Sequence, residues 1–409
     1  MMAKAIMVAS LNAALLSTNE TNMFGAINNV STESQTQASC TEDAAFTGLR
    51  VNIISGGSGT NNFRFRDAGA NGQNLATRSG AGIAEDTTNT DSLSAGDLFN
   101  IAYTDTGSNS TTSWLACNVA LASGYGCFLG AATFQGVVWD VASSTKFAPI
   151  NGGLIADGID TEANVAFKAR GFTTFEALQV RILSNGRSND SVFRNRINAG
   201  NGSAVITFTT GVTGLIEATG LADAITDGQT VAASCQLDTG VEDLSILFIG
   251  ATLKSTDTEQ DMWTQKEVAR AASTTEHYVP IGGSMTGTLT DFTEAQAALK
   301  IGYAGTAKNL RCYLSANTYS VAGTLKLYQN GSPVITTTLT ASGGAGWYEN
   351  TSDSITFDAD DVLSFALDEG TSGSATFQMI GITLAPAAAV ADVGWGPFEA
   401  GKRNHMVVT

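Results

Sequence analysis

Three glutamates recur along the chain at one spacing, and their residue type makes them candidates for acid–base catalysis or metal binding. They are Glu85, Glu217 and Glu349, each 132 residues from the next. A second polar residue follows each glutamate by 12 residues, namely Asp97, Gln229 and Asp361. Paired carboxylates can act as general acid and base, and carboxylate oxygens also bind divalent cations. Because glutamine replaces aspartate in the middle copy, we instead expect each glutamate to accept backbone N–H bonds at a strand end and to hold the following loop.

Other residues that could do chemistry lack the neighbours that the chemistry needs. His277 and His405 lie outside the repeated positions, and neither has the Ser, Cys or carboxylate spacing of a catalytic triad or a zinc site. The glycine-rich segment 55–59 lacks the lysine and the strand-to-helix context of a phosphate-binding loop. The sequence therefore predicts a protein without enzyme activity, cofactor or metal ion.

Two adjacent aromatic residues are a candidate binding feature of the third copy. Trp347 and Tyr348 stand where the other copies have Ile83-Ala84 and Leu215-Ile216. An exposed aromatic ring on a sheet could stack on a sugar ring or contact a partner. The alternative, which we favour, is a local variation of the core or of an interface.

The glutamates belong to a longer motif, Gly-x-x-Glu-x-Thr, that occurs in all three copies. Its positions are Gly82, Glu85 and Thr87, then Gly214, Glu217 and Thr219, then Gly346, Glu349 and Thr351. A period of 132 residues without insertion is the size of a whole domain, whereas solenoid repeats are far shorter. We therefore predict an N-terminal arm (1–22), three copies of one domain (23–144, 145–275 and 276–388) and a C-terminal tail (389–409).

Each copy has the residue pattern of an antiparallel β-sandwich. Apolar and polar residues alternate in segments 49–53, 178–182 and 310–314, as they do in half-buried strands. Asn-Gly pairs at 71–72, 201–202 and 330–331 favour tight hairpin turns. Such segments give about eight strands per copy, the strand number of a jelly roll. The predicted fold class is all-β, with three tandem jelly-roll-like domains and short connectors.

Four segments outside this pattern receive separate predictions. Segments 256–272 and 292–299 could form short connecting helices, and we interpret 124–144 as an elaboration of the first copy that packs on another surface. The apolar run 5–16 is similar to a short secretion signal, but it lacks a small-x-small cleavage site and is too short to span a bilayer. We therefore expect a retained N-terminal arm or strand that packs on the body or on a neighbour. No other segment is a membrane candidate.

Composition indicates a folded protein that does not bind nucleic acid. Apolar residues make up 43% of the 409 residues, and 38 carboxylates against 21 Lys plus Arg give a formal charge of -17. Proteins that hold a phosphate backbone need basic patches, which this balance disfavours. Only 14% of the residues are charged, below the ~25% usual for globular chains. A sparsely charged surface suits contact with neighbouring proteins.

The cysteines do not form a recognisable disulfide framework. Their number, 5, is odd, and Cys117, Cys235 and Cys312 fall on apolar positions of the repeat, which predicts small buried side chains. A disulfide between Cys40 and Cys127 stays open from the sequence, although a reduced protein assembled in the cytoplasm is the favoured interpretation.

The combined motifs resemble those of modules in structural proteins of tailed bacteriophages. They comprise the tandem copies, the aromatic-x-Pro-Ile segments at 147–150 and 278–281, the Leu-x-Val-x-Ile strand, and the Gly-x-x-Glu-x-Thr segment that runs on to Ala95-Gly96-Asp97. The resemblance extends over residues ~22 to 388. It implies a tandem jelly-roll virion protein of the capsid decoration, head fibre or tail appendage type, which works by surface contact and has no catalytic residues.

From this resemblance we expect a non-enzymatic protein on the outer surface of the particle, assembled in the host cytoplasm. Its expected partners are other virion proteins, foremost the major capsid protein, and copies of itself, but neither nucleic acid nor a membrane. Subunit contacts are expected from the arm and from the tail with Trp395, Phe398, Lys402 and Arg403. The alternatives are a receptor-binding tail appendage that uses its third copy, and an exported bacterial adhesin or filament subunit.

Overall fold

The protein is described by a computed structural model that carries side chains. The structure describes residues 5–15, 20–22, 33, 36–56, 58–107, 110–121, 125–154, 158–240, 242–255, 259–273, 275–282 and 292–387. Strands 5–15, 20–22 and 152–153 and parts of two other strands are described by their backbone alone.

Strand pairing divides these residues into three modules of the same design. Among the described residues, module 1 contains β1 (Ala5–Leu15), β2 (Glu20–Asn22), β3 (Ala38–Ser39), β4 (Ala44–Ser55), β5 (Thr60–Asp67), β6 (Ala70–Ser79), β7 (Gly82–Leu93), β8 (Leu98–Asp105) and β9 (Ser110–Leu121). Module 2 contains β10 (Tyr125–Trp139), β11 (Thr145–Ala148), β12 (Gly152–Gly153), β13 (Phe167–Lys168), β14 (Thr174–Asn185), β15 (Ser191–Ile197), β16 (Gly200–Phe208), β17 (Gly214–Ala218), β18 (Asp223–Ala224), β19 (Thr230–Gln236) and β20 (Leu244–Ser255). Module 3 contains β21 (Gln260–Ala271), β22 (His277–Val279), β23 (Leu299–Lys300), β24 (Gly305–Asn317), β25 (Gly323–Gln329), β26 (Ser332–Leu339), β27 (Gly346–Phe357), β28 (Val362–Asp368) and β29 (Ser374–Pro386).

Each module has jelly-roll topology, which confirms the predicted fold class. In module 1 one sheet has the order β1-β9-β4-β7 and the other the order β2-β8-β5-β6, with β3 beside β8. The corresponding sheets are β10-β20-β14-β17 and β11-β19-β15-β16 in module 2, and β21-β29-β24-β27 and β22-β28-β25-β26 in module 3. The first strand of each module therefore pairs with the last, and the chain passes between the two sheets as it does in a jelly roll.

Alternating side chains from the two sheets fill each core. On β4, Val51 and Ile53 are buried, as period-2 alternation predicts. Phe46, also on β4, lies 4.7 Å from Phe65 and 5.0 Å from Phe99, ring centroid to centroid, so aromatic contacts join the facing sheets. Within the described part of the chain, no helix has the length and apolar character needed to cross a membrane.

The expected N-terminal arm or strand that packs on the body is confirmed, because this segment contains β1, which pairs with β9 as the outer strand of a sheet. The first strands of the other two modules were misassigned from the sequence. Segment 124–144 contains β10, which pairs with β20 and so belongs to the second module. The helix expected at 256–272 is wrong, because 260–271 forms β21. Residues 260–264 of this strand are all buried, polar and apolar alike, so the segment lacks the alternation of a half-buried strand. The helix expected at 292–299 exists as one turn, α1 (Glu294–Ala297).

The predicted Asn-Gly turn occurs in one module of three. Module 3 turns at Asn330-Gly331, with φ of 50° and 84°. In modules 1 and 2 the turns lie earlier, at Ala68-Gly69 and Asn198-Ala199, where φ is also positive. Gly72 and Gly202 instead lie inside strands, where a Cβ would come within 2.7 Å of Asp91 and 2.3 Å of Asn195, respectively. These two glycines make room for a neighbouring side chain.

Candidate functional site

The recurring motif begins the fourth strand of one sheet in each module. Gly82, Gly214 and Gly346 are the first residues of β7, β17 and β27 and have φ of 118°, 95° and 152°. A side chain is strained at such angles, which accounts for glycine at all three positions. The glutamate three residues later lies opposite the central strand of its own sheet. The Cα partners are Arg50 and Glu85, Gln179 and Glu217, and Arg311 and Glu349.

Glu349 joins module 3 to module 2 through two cations. Its Oε1 accepts a hydrogen bond from Lys168 Nζ, and its Oε2 accepts one from Arg170 Nη2 at 2.6 Å. The carboxylate is 14% exposed. Burial opposes ionisation, but the two donors outweigh it and lower the pKa of Glu349. This glutamate therefore acts as an inter-module anchor.

Glu85 makes the equivalent contact between modules 1 and 3. Lys300 Nζ donates to both carboxylate oxygens at 3.1 and 3.0 Å, and Arg50 Nε lies 3.7 Å from Oε2. Lys168 and Lys300 are equivalent residues, because β13 and β23 pair with the same position of β19 and β28. The expectation that these glutamates accept backbone N–H bonds is wrong for both, since lysine and arginine side chains take that place.

The third junction, between modules 2 and 1, replaces this ion pair with neutral groups. Ser39 stands at the lysine position and Gln179 at the arginine position. Gln179 Nε2 donates to Ser39 O at 2.8 Å, and Ser39 N donates to Gln179 Oε1 at 3.2 Å. Glu217 is exposed, and no ion pair reaches it among the described residues. Lysine and arginine are thus both replaced at these two equivalent positions, and a different ion pair crosses this junction, with Lys254 Nζ 3.4 Å from Glu42 Oε1.

Further side-chain donors on the central strands reach main-chain carbonyls of another module at each junction. Arg311 Nε and Nη2 donate to Lys168 O at 3.2 and 3.1 Å, from module 3 to module 2. Arg181 Nε and Nη2 donate to Gln37 O at 2.9 and 2.6 Å, from module 2 to module 1. Asn52 Nδ2 lies 3.2 Å from Gln296 O, from module 1 to module 3.

These contacts close the three modules into a ring. In each module, the outer face of the central strand binds a segment of another module, and this segment precedes that other module's own central strand. In this way module 1 binds module 3, module 3 binds module 2, and module 2 binds module 1. A head-to-tail interface that closes after three copies has threefold rotational symmetry. The chain is therefore a covalent pseudo-trimer, and the junction of modules 1 and 3 closes it without help from adjacent sequence.

The aspartates that follow the glutamates serve a different purpose. Asp97, Gln229 and Asp361 each accept a hydrogen bond from the backbone N–H three residues earlier, at 2.8 Å in every copy. An amide oxygen does this as well as a carboxylate, which explains the glutamine of module 2. Asp361 also accepts hydrogen bonds from Asn330 and Gln329, and these neighbours lower its pKa. The paired spacing thus reflects turn formation beside an inter-module contact.

The threonines of the motif mark an interruption of the strand. Thr87 and Thr351 follow Asp86 and Asn350, and at this point the pairing of β7 with β4 and of β27 with β24 shifts register. Asp86 Oδ1 accepts the N–H of Thr88 at 3.1 Å, and Asn350 Oδ1 that of Ser352 at 3.2 Å. In module 2, β17 ends just before Thr219. Bulges of this kind protect an edge strand from pairing with other chains.

Trp347 and Tyr348 are half-buried, and Trp347 lies at the junction of modules 2 and 3. Its ring centroid is 5.9 Å from that of Trp263 and 5.4 Å from that of Tyr313, and Lys168 Nζ lies 5.1 Å from it. Tyr348 Oη donates to Gly344 O at 3.0 Å. The interface interpretation of Trp347 therefore agrees with its surroundings.

An open cleft of about 480 Å³ lies beside this junction. Its charged lining residues are paired with one another, Arg170 with Asp227 at 2.7 Å and Lys308 with Glu259. In the described part of the chain no group of three His, Cys, Asp or Glu side chains is placed to hold a metal ion.

The remaining sequence candidates fall into two groups. Cys40, Cys117, Cys235 and Cys312 are buried free thiols, as predicted for the last three. Burial raises the pKa of Cys40 to about 12. The side chain of Cys127 and the tail residues Trp395, Phe398, Lys402 and Arg403 lie outside the described residues.

Sequence reasoning missed the cations that complete the site. Lys168, Lys300 and Arg170 stand in segments that carry no recurring motif, because the equivalent residue of module 1 is Ser39. The sequence does contain one signal of this site, namely two substitutions that occur together. Module 1 has Ser39 in place of the lysine, and module 2, which contacts it, has Gln179 in place of the arginine. Only knowledge of the ring order connects those two changes.

Comparison with known proteins gives no family. No protein-family model and no curated protein matches the chain. Among solved structures, one described as the triple jelly-roll fold and turret assembly of an archaeal virus is 11% identical and covers 86% of this chain and 82% of its own, with a TM-score of 0.18. The major capsid protein P2 of bacteriophage PM2 is 11% identical over 65% of this chain and 99% of its own, with a TM-score of 0.19.

A third similar structure has an unrelated description. The insecticidal delta-endotoxin Cry8Ea1 of Bacillus thuringiensis is 12% identical over 61% of this chain and 60% of its own, with a TM-score of 0.17. Structural similarity with TM-scores this low supports no inference about function. The jelly-roll assignment rests on the strand order of the chain itself.

Proposed function

We propose that the chain is a non-enzymatic structural protein of a bacteriophage particle that decorates or stabilises the outer surface of the capsid. The proposal rests on the observation that the recurring residues serve to build the fold and to join the modules. Gly82 and its equivalents start a strand, Glu85 and Glu349 join modules, and Asp97 and its equivalents hold turns. Such positions build a rigid block, and its function is then a matter of surface contact.

The ring suits attachment to a shell. Three similar modules at fixed positions present three related faces, so contacts that are weak singly reinforce one another through high effective concentration. All three faces can engage at once only where the partner surface has local threefold symmetry. The expected partner is therefore a trimer or a local threefold site of the major capsid protein.

Charge agrees with an external position. With a formal charge of -17, the chain would be repelled by packaged DNA. The receptor-binding alternative is weakened at its aromatic candidate, because the half-buried Trp347 packs against Trp263 and Tyr313. A receptor site would have to use other residues.

Particles of the phage that encodes the chain provide the test. Particles purified on a density gradient, with and without the gene, are compared by mass spectrometry, antibody binding and heat-induced DNA release. We expect the chain in fixed ratio to the major capsid protein, accessible to antibody, and particles without it that release DNA at lower temperature. Adding the purified full-length protein should restore stability.

The other functions predict different results. A chain present at the tail alone, whose loss abolishes adsorption while leaving heat stability unchanged, would establish a tail appendage. A chain absent from particles would refute a virion role. Degradation of a glycan by the purified protein would refute the non-enzymatic assignment.

A further inference from the structure

Module 3 contains a buried charged cluster that the ring does not use. Glu369 follows β28 directly and its side chain is 0% exposed, while Arg270 is the next-to-last residue of β21 and its side chain is 8% exposed. Arg270 Nε donates to Glu369 Oε1 at 2.8 Å. The cluster therefore links one sheet of the module to the other.

The second carboxylate oxygen faces a histidine. Glu369 Oε2 accepts no hydrogen bond among the described residues, and His277 Nε2 at the start of β22 lies 3.6 Å from it. His277 Nε2 also lies 3.3 Å from Ser273 Oγ. A buried acceptor without a donor destabilises the folded state. A proton placed between the carboxylate and the imidazole would supply the missing donor.

Other charged groups around the cluster do not supply it. Tyr319 directs its hydroxyl to the carbonyl of Arg270 at 3.4 Å. Lys326, on β25, pairs with Glu276 and lies 3.8 Å from Asp368. These groups bring two further carboxylates and one lysine to the neighbourhood, a balance that favours uptake of a proton.

Module 2 offers a built-in comparison. Its buried ion pair is Arg187 with Asp238, at 3.3 Å. There Asp238 Oδ2 accepts the N–H of Asn189 at 2.8 Å and Oδ1 that of Gly240 at 3.2 Å, so both oxygens are satisfied without a histidine. In this comparison, only the module 3 cluster has a buried carboxylate oxygen that accepts no hydrogen bond among the described residues.

We propose that Glu369, His277 and Arg270 form a pH-sensitive latch that binds one proton and clamps β21, β22 and β28 together as the pH falls through neutrality. Imidazole is the side chain that ordinarily changes charge between pH 5 and 8. The proton belongs to the pair, since an imidazolium that donates to Oε2 and a carboxyl that donates to Nε2 hold the same number of protons.

The sign of the effect follows from burial. Burial raises the pKa of Glu369 from 4.5 to about 7, against the opposing influence of Arg270. At the Glu369 carboxyl the folded state therefore binds a proton that the unfolded state releases between these two values. The stability contributed by this carboxyl is complete below about 4.5 and is lost as the pH rises through about 7. Acidification from pH 8 to pH 5.5 should strengthen module 3.

The test measures unfolding of the full-length chain by urea between pH 5.5 and 8. One bound proton changes the unfolding constant by up to about tenfold per pH unit. We expect this pH dependence in the wild type, its loss in Glu369→Gln, and its reduction in His277→Gln. Asp160→Asn is the matched control, because it removes one negative charge from a side chain that is 81% exposed. It should keep the wild-type pH dependence.

Amide hydrogen exchange locates the effect. After correction for the intrinsic effect of pH, we expect slower exchange at the end of β21 at pH 6 than at pH 8, and no such difference in β10 of module 2. Equal pH dependence in wild type and Glu369→Gln would overturn the latch. An undiminished dependence in His277→Gln would show that histidine takes no part, and would also overturn it.

Discussion

Replacing the recurring glutamates one at a time tests which of them stabilise a junction between modules. Glu349→Gln removes the charge that two cations share at the junction of modules 2 and 3. Glu349, Lys168 and Arg170 are 14%, 19% and 21% exposed, so water screens this cluster only in part. A hydrogen bond to a charged group contributes roughly 1.5–3 kcal/mol, and glutamine can keep one weaker bond. We expect Glu349→Gln to lower the free energy of unfolding by about 2 kcal/mol.

The other two glutamates are matched controls at equivalent positions. Glu85 is 37% exposed, so Glu85→Gln should cost less than ~1 kcal/mol. No ion pair reaches Glu217 from the residues that the structure describes, so Glu217→Gln should stay within ~0.5 kcal/mol of the wild type. Urea unfolding midpoints at pH 7, with amide exchange of β13, provide the measurement. A cost for Glu217→Gln equal to that of Glu349→Gln would refute the reasoning.

Three further predictions concern packing, titration and thiol chemistry. Trp347→Ala should lower stability by about 2–3 kcal/mol in urea unfolding, because a half-buried ring is lost, and should leave binding on a glycan array unchanged. Because the pKa of Glu349 is lowered from 4.5, its contribution is present above that value and lost as the pH falls, so the stability difference between wild type and Glu349→Gln should narrow as the pH is lowered below 4.5. A thiol reagent should modify the buried cysteines Cys40, Cys117, Cys235 and Cys312 only in denaturant. Rapid reaction of two or more thiols in the native protein would contradict this burial.

The fold was predictable wherever a repeat and a strand pattern coincide. Alternation around Val51, Val180 and Cys312 identifies the central strands, and the exact spacing of the Gly-x-x-Glu-x-Thr motif identifies three copies. The first strands of modules 2 and 3 were not predictable in the same way. β10 and β21 follow the previous module directly, vary in length, and pair with strands more than a hundred residues away. Local pattern does not report such pairing.

The sequence predicted only the acidic half of the candidate site. Glu85, Glu217 and Glu349 recur at equivalent positions, but whether a cation neutralises the glutamate depends on the module that lies opposite. Lys168 and Lys300 belong to two-residue strands that have no periodic signal of their own. A side chain that serves a neighbouring module leaves no pattern within its own module, so the ring became evident only from the coordinates.

Carbodiimide coupling of the monomeric protein tests the ring most directly, because it joins carboxylates and amines that already touch. Lys300 Nζ is 3.0 Å from Glu85, and Lys168 contacts Glu349, although both pairs are far apart in the chain. Peptide mass spectrometry should find intramolecular links between Glu85 and Lys300 and between Glu349 and Lys168, and none at Glu217. A monomer that lacks both links, or that carries links only within single modules, would contradict the closed ring.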